Sequence, residues 1–171
     1  MINTNSLKRG VVMKLDRSDT RILAALQEDG RLSVVELAER VGLSQTPCAR
    51  RIRALEQGGV IEGYAAILNP ARLGLKVQAF VQVKLQQHAD DVVMMFQREL
   101  AKFDEVISCF AVTGASDFLV YVTVPDLEAL GSTVLKRLMK IPGVRDVHSS
   151  IVLATVKRSA PLPLSHLPPM E

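Results

Sequence analysis

Residues 31–63 read RLSVVELAERVGLSQTPCARRIRALEQGGVIEG, and this stretch decides the N-terminal part of the fold. Ser33 followed three residues later by Glu36 is a capping box, a reciprocal pairing that satisfies free backbone N–H groups where a helix starts. Leu37, Ala38 and Val41 then recur at helical spacing. Gly42 stands where the chain leaves the helix, a place where the left-handed conformation costs glycine little. Ser44 is positioned to cap a second helix, and Pro47 falls in its first turn, where a missing N–H is tolerated. Gly58 and Gly59 stop that helix.

The second helix has two unlike faces. Cys48, Ile52 and Leu55 follow i, i+4, i+7 and form a dry side. Thr46, Ala49, Arg50 and Arg53 lie opposite, with Arg51 on a flank. From Arg40 to Arg53 there are four arginines and no carboxylate. Two short helices around a tight turn, the second dry on one side and basic on the other, suit a helix held by a small core while it enters the major groove of DNA. The expected contact set is Ser44, Gln45, Thr46, Ala49, Arg50, Arg51 and Arg53. Of these, Gln45, Thr46, Arg50 and Arg53 are placed toward base edges or nearby phosphates and Arg51 toward the backbone, and the small Ala49 allows close approach.

Upstream, LDRSDTRILAALQEDGR (residues 15–31) predicts one more helix. Asp16 serves as its cap, Asp19 meets the helix dipole in the first turn, Ile22, Leu23 and Leu26 form its stripe, and Gly30 ends it. Three helices make a trihelical, winged or helix-turn-helix, domain over residues 15–63, with Val60 and Ile61 packing beneath the third. Such a unit is too small to bury much surface alone. Residues 1–14 are polar and mixed and read as a disordered N-terminus. Residues 64–75 read as a linker holding a short strand at Tyr64–Leu68 and a turn at Asn69–Pro70.

Beyond the linker the period changes from helical to alternating. Val77, Ala79, Val81, Val83 and Leu85 recur every second residue, the pattern of a strand with one dry face. Ala89–Phe103 is an amphipathic helix, Glu105–Thr113 and Asp117–Val124 are strands around Gly114-Ala115-Ser116, and Asp126 caps a helix that Pro142-Gly143 ends. Val144–Lys157 contains the last strand. The order β-α-β-β-α-β over residues 76–158 predicts a ferredoxin-like unit, so the fold class is α+β. Its sheet has a second face that is half apolar, with Phe80, Ile107, Cys109 and Ala111 as candidates depending on register. Covering it with a second copy is the simplest solution, which predicts a homodimer. Residues 159–171 hold four of the eight prolines and read as an extended or mobile tail.

Composition sets the outer limits. The 171 residues allow one ordinary domain or two small ones, and with no Trp and 4% aromatics the cores must be aliphatic. The net charge is only +3, with ten Lys/Arg against eight Asp/Glu in residues 1–62, so the informative charge is the local arginine group. Cys48 and Cys109 lack metal-ligand neighbours and read as buried thiols, which suits a reducing cytoplasm, the expected location. No apolar run reaches the roughly 18 residues that span a bilayer, and no membrane partner is expected. His88, His148 and His166 share no metal spacing and read as ordinary surface or turn residues. No phosphate loop, nucleophile elbow or convergent acid–base set appears, so no metal, cofactor or enzymatic activity is expected.

The segments LDRSDTRILAALQEDGRLS, ELAERVGLSQTPCARRIRALEQGGVIEGYAAILNP and IPGVRDVHSSIVLATVK resemble the Lrp/AsnC, or feast/famine, family of transcription regulators, over about residues 15–157. The resemblance implies an N-terminal DNA-binding domain and a C-terminal domain that binds a small effector, in that family an amino acid, and drives oligomerisation. By the same resemblance, the effector site falls on the turn Gly114, Ala115, Ser116 and Asp117, and on Ser149, Ser150, Ile151 and Val152 of the last strand. Gly114 and Asp117 match the family's turn, whereas Ala115 and Ser116 replace its frequent acidic–aromatic pair. Chemically, Asp117 would pair with an ammonium and N–H groups around Gly114 would receive a carboxylate. The alternative for this turn is a hairpin glycine followed by an aspartate cap. The expected partners are double-stranded DNA with a palindromic operator, an amino-acid effector, and further copies of the chain, as a dimer or an octamer. An architectural DNA-compacting protein without a small-molecule response is the second reading.

Overall fold

The computed structural model describes residues 13–158 and 160–168. They fall into two compact units, one helical and one built on a sheet. The expectation of a disordered N-terminus lies, for residues 1–12, outside the described residues.

The helical unit contains α1 (Arg17–Glu28), α2 (Val34–Val41) and α3 (Gln45–Gln57). Helix α1 begins with a full capping box. The Asp19 N–H donates to Asp16 Oδ1 at 3.0 Å, and the Asp16 N–H donates to Asp19 Oδ2 at 3.0 Å. The Ser33–Glu36 box forms in the same way at α2. Gly42 ends α2 at φ 69°, and its N–H and that of Leu43 return to the last carbonyls of the helix. The core is Ile22, Leu23, Ala25, Leu37, Ala38, Val41, Cys48 and Leu55, so each helix contributes its apolar stripe. Met13, placed by sequence in the disordered N-terminus, packs against this cluster together with Leu15. A thioether beside a small aliphatic core gains burial that its polar neighbours do not.

Three local expectations need correction here. Ser44 precedes α3 but makes no side-chain cap hydrogen bond. A capping oxygen accepts from the second or third N–H of the helix, and the third residue here is Pro47, which has none. Helix α1 is capped at its C-terminal end by Asp29, one residue before Gly30. Tyr64–Leu68 is exposed and pairs with no strand within the described residues, because an extended segment needs a neighbour to hydrogen-bond. Asn69 instead caps a 3₁₀ turn at Pro70–Leu73.

The second unit is a four-stranded antiparallel sheet in the order β2-β3-β1-β4. Its strands are β1 (Val77–Leu85), β2 (Val106–Ala111), β3 (Phe118–Val124) and β4 (Val144–Ile151). Helix α4 (Asp90–Leu100) joins β1 to β2. Between β3 and β4 the chain runs through α5 (Leu127–Ala129), a π-helical turn (Leu130–Leu135) and α6 (Lys136–Met139). This is the ferredoxin-like βαββαβ arrangement. Val81, Val83, Val120 and Val122 are fully buried against Phe96, Leu100, Leu130, Val134 and Leu138, which puts both helical segments on one face.

Register settles the other face. Phe80 pairs with Tyr121 and with Ser150, Gln82 with Leu119, and Phe110 with Leu119. Phe80 and Phe110 are exposed, and the Phe80 and Tyr121 rings lie 5.1 Å apart. Of the sequence candidates, Phe80 lies on this face, and Ile107 is exposed at the irregularity of β2. Cys109 and Ala111 instead oppose Val120 and Phe118 on the helix-covered side, because the irregularity between Val106 and Ser108 shifts the alternation of β2 by one residue.

Candidate functional site

Helix α3 displays the residues read from its sequence in two groups. Gln45, Thr46, Arg50 and Arg53 are exposed, and Ala49 is half-buried between them. Thr46, Ala49, Arg50 and Arg53 share one side because they are spaced i, i+3, i+4, i+7, opposite the buried Cys48 and Leu55, and Gln45 stands on the flank in the first turn. Among the described residues Arg50 and Arg53 make no ion pair. Ser44 carries a hydroxyl not used by the helix and lines an open groove together with Val35, Ala38, Glu39, Leu43, Gln45 and Thr46.

The other two arginines of the basic run are occupied. Arg40 pairs with Glu28 of α1. Arg51 Nη1 donates to Asp19 Oδ1 at 2.8 Å and lies 2.7 Å from Asp16 Oδ2. Asp19 is only 5% exposed. The Asp16 carboxyl is held below its ordinary value by the Asp19 N–H, against the cost of desolvation and with help from the Arg51 guanidinium. Arg51, expected on a DNA backbone, is thus an internal clamp between α3 and the start of α1. The carboxylates that neutralise Arg40 and Arg51 lie outside the arginine-rich window, which is why sequence reasoning missed Glu28, Asp16 and Asp19 as partners.

In the sheet unit, Gly114 turns the chain between β2 and β3 at φ 112°. The Asp117 N–H donates to the Val83 carbonyl, and the Val112 N–H donates to the Asp117 carbonyl, which closes the turn. The Asp117 carboxylate already has three partners. It accepts from the Leu85 N–H at 2.7 Å and from Lys84 Nζ at 3.0 Å, and it lies 2.9 Å from His88 Nε2. Desolvation pushes this carboxyl up, but the Leu85 N–H and the Lys84 ammonium outweigh it and hold it below the ordinary value. Lys84 and His88 had no assigned role in the sequence. The signal was the pairing register, which sets Val83 opposite Phe118 and so brings Lys84 beside Asp117.

Ser149, Ser150 and Ile151 lie exposed on β4, and the Val152 N–H donates to the Gln78 carbonyl. Val83 pairs with Phe118 and Val147, whereas Ala79 pairs with Val122 and Ile151. Asp117 lies beside Lys84, whereas Ser149, Ser150 and Ile151 pair with Val81, Phe80 and Ala79, so the two halves of the expected effector site are three to five residues apart along β1, roughly 10–16 Å at the rise of a strand, and on opposite sides of it. A single chain does not bring them together.

Cys48 is fully buried, and burial raises the Cys109 thiol to about 11. Among the described residues no group of three His, Cys, Asp or Glu side chains is arranged to hold a metal, and no helix is long and apolar enough to cross a membrane.

Comparison with known proteins agrees with this division. Residues 15–62 match the family described as winged helix-turn-helix DNA-binding, and residues 78–162 match the Lrp/AsnC ligand binding domain. The leucine-responsive regulatory protein of Salmonella typhimurium is 43% identical over 145 residues, covering 85% of this chain and 88% of that protein. The Escherichia coli K12 protein of the same name matches equally. A transcriptional regulator from Neisseria meningitidis, solved as a complex with L-Met, superposes with a TM-score of 0.84 at 44% identity, over 89% of this chain and 98% of that one. An AsnC family transcriptional regulator from Agrobacterium tumefaciens gives 0.82 at 38% identity, over 89% and 99%. A helix-turn-helix unit joined to a ferredoxin-like ligand-binding unit, with relatives this similar along most of the chain, places this protein in the Lrp/AsnC family of DNA-binding transcription regulators.

Proposed function

We propose that this regulator reads a palindromic operator through Gln45, Thr46, Ala49, Arg50 and Arg53, and that an amino acid controls its DNA binding or assembly. The observation that carries the first part is the pair Arg50 and Arg53, exposed and without an ion pair among the described residues, on a helix whose opposite side is core. Guanidinium groups with no internal partner are available to guanine edges and phosphates. Ser44, free of its cap role, is placed to donate to a phosphate. Arg51 supports the helix and does not touch the duplex. Two copies would set two such helices in successive major grooves, about 34–36 Å apart or a multiple of it.

The dimer forms through the uncovered sheet face, where Phe80, Phe110, Leu119 and Tyr121 make an apolar patch. Higher assemblies, an octamer among them, bring the turn Gly114–Asp117 of one copy against Ser149–Val152 of another and so complete the effector site. In that site the N–H groups of Ala115 and Ser116 receive the effector carboxylate, while Asp117, already held by Lys84 and His88, orders the turn. The complex of the Neisseria relative with L-Met supports an amino acid as the effector class.

The test is a thermal-shift screen of the full chain against the twenty amino acids, followed by operator titrations with and without each hit. A stabilising amino acid that also changes operator affinity is the expected result. No shift with any amino acid, together with weak sequence preference in footprinting, would favour DNA compaction without an effector. Light scattering on Phe80→Lys/Phe110→Lys tests the dimer face, and an unchanged mass would refute it.

A further inference from the structure

The Pro-rich tail is seated on the helical unit. The Leu162 N–H donates to Gln27 Oε1 at 2.6 Å, and Gln27 Nε2 donates to the Leu162 carbonyl at 3.2 Å. One side-chain amide thus gives this residue both hydrogen bonds that a strand receives from a neighbour. The flanking residues are Pro161 and Pro163, which have no N–H. Leu162 N–H is therefore the only backbone donor of the tripeptide, and it is the one Gln27 accepts. Both prolines also fix φ, so the segment is close to its docked conformation before it docks. Leu164 follows and packs against the cluster of Ile22, Leu23, Leu37 and Leu55. The Leu167 N–H then closes a turn onto the Leu164 carbonyl at 2.9 Å.

We propose that residues 161–167 are a fourth structural element of the DNA-binding unit: a proline-stiffened strap, seated by Gln27 and Leu164, whose presence sets the stability of the unit that carries α3. The unit has the size at which an added element matters, because three short helices bury little surface on their own. Gln27 recognises backbone and Leu164 supplies apolar surface, so the seat fits an extended Pro-Leu-Pro-Leu segment.

The experiment compares the full chain with a chain ending at Arg158, and with Gln27→Ala and Leu164→Ala in the full chain. Removing the tail is expected to lower the melting temperature of the helical unit by about 4–8 °C. Amide exchange in α1 should rise about fivefold or more, while exchange in the sheet stays unchanged. Gln27→Ala should reproduce part of this in the full chain and add nothing in the shortened one. A synthetic peptide of residues 160–168 should restore slow exchange to the shortened chain. If α1 exchange and melting are the same with and without the tail, the proposal fails. It also fails if Gln27→Ala costs as much in the shortened chain as in the full one, since Gln27 would then act without the strap. Should the shortened chain not fold, the two point variants decide, because a docked strap requires both to speed α1 exchange and a free tail requires neither to do so.

Discussion

Arg51 on α3 donates through Nη1 to Asp19 Oδ1 at 2.8 Å, across from the buried first turn of α1. Its guanidinium is held internally, whereas Arg50 and Arg53 of the same helix are exposed and make no ion pair among the described residues. Removing Arg51 leaves an almost buried carboxylate without its cation. Arg51→Ala is expected to destabilise the helical unit by about 2–3 kcal/mol, below the figure for fully buried pairs because Arg51 is partly exposed. Chemical denaturation followed by circular dichroism checks this, and a loss below about 0.5 kcal/mol would contradict the clamp.

Arg50→Ala and Arg53→Ala should behave the other way round. Neither side chain is buried or paired among the described residues, so stability should stay within about 0.5 kcal/mol of the parent. Operator binding should weaken by at least ~1 kcal/mol for a base contact. Fluorescence anisotropy at fixed salt, with operator and scrambled duplexes, separates the two kinds of contact. A base contact lowers the preference for operator, and a phosphate contact lowers both affinities alike.

Acid stability should report Asp117. A carboxyl whose folded pKa lies below its unfolded value binds fewer protons when folded, so its contribution is present above the unfolded value, about 3.9, and is lost as pH falls through the folded one. Asp117→Asn removes that contribution. The variant should be less stable than the parent at pH 7, and the difference should shrink as pH drops below about 4. A stability difference that stays constant from pH 7 to pH 2 would show that the Lys84 and Leu85 contacts are not what holds the turn.

Gly143 is needed twice over. It sits at φ 88°, and a Cβ there would collide with Val92 Cγ1 of α4. Gly143→Ala should cost about 2–3 kcal/mol from the left-handed backbone and the overpacking together. Val92→Ala in the same chain should recover the steric part and leave the backbone part. A double-mutant cycle showing simple additivity would refute the shared origin.

Much of this architecture is legible in the sequence. The Ser33–Glu36 capping box, the Asp16 cap, the period change near Val77 and the glycine ending α2 are local features, and each formed as its residues required; the return bond of Asp19 to the Asp16 N–H appears only in the structure. The signals that misled were local as well. Ser44 has the residue type of a cap, but Pro47 occupies the third helical position and has no N–H to donate. Cys109 and Ala111 changed faces because one irregular pair in β2 reverses every alternation after it.

Side-chain periodicity determined which side of each element is dry, and with it the trihelical unit, the βαββαβ order and the face on which Arg50 and Arg53 stand. Tertiary structure alone decided who stands across from each charge. Arg51 meets Asp19 at a separation of 32 residues, Lys84 meets Asp117 at 33, and Gln27 meets Leu162 at 135. Hydrophobic spacing repeats within a single element, so it carries the direction of burial. A partner is chosen only when distant segments close on one another, and no pattern within a window of sequence records that closure.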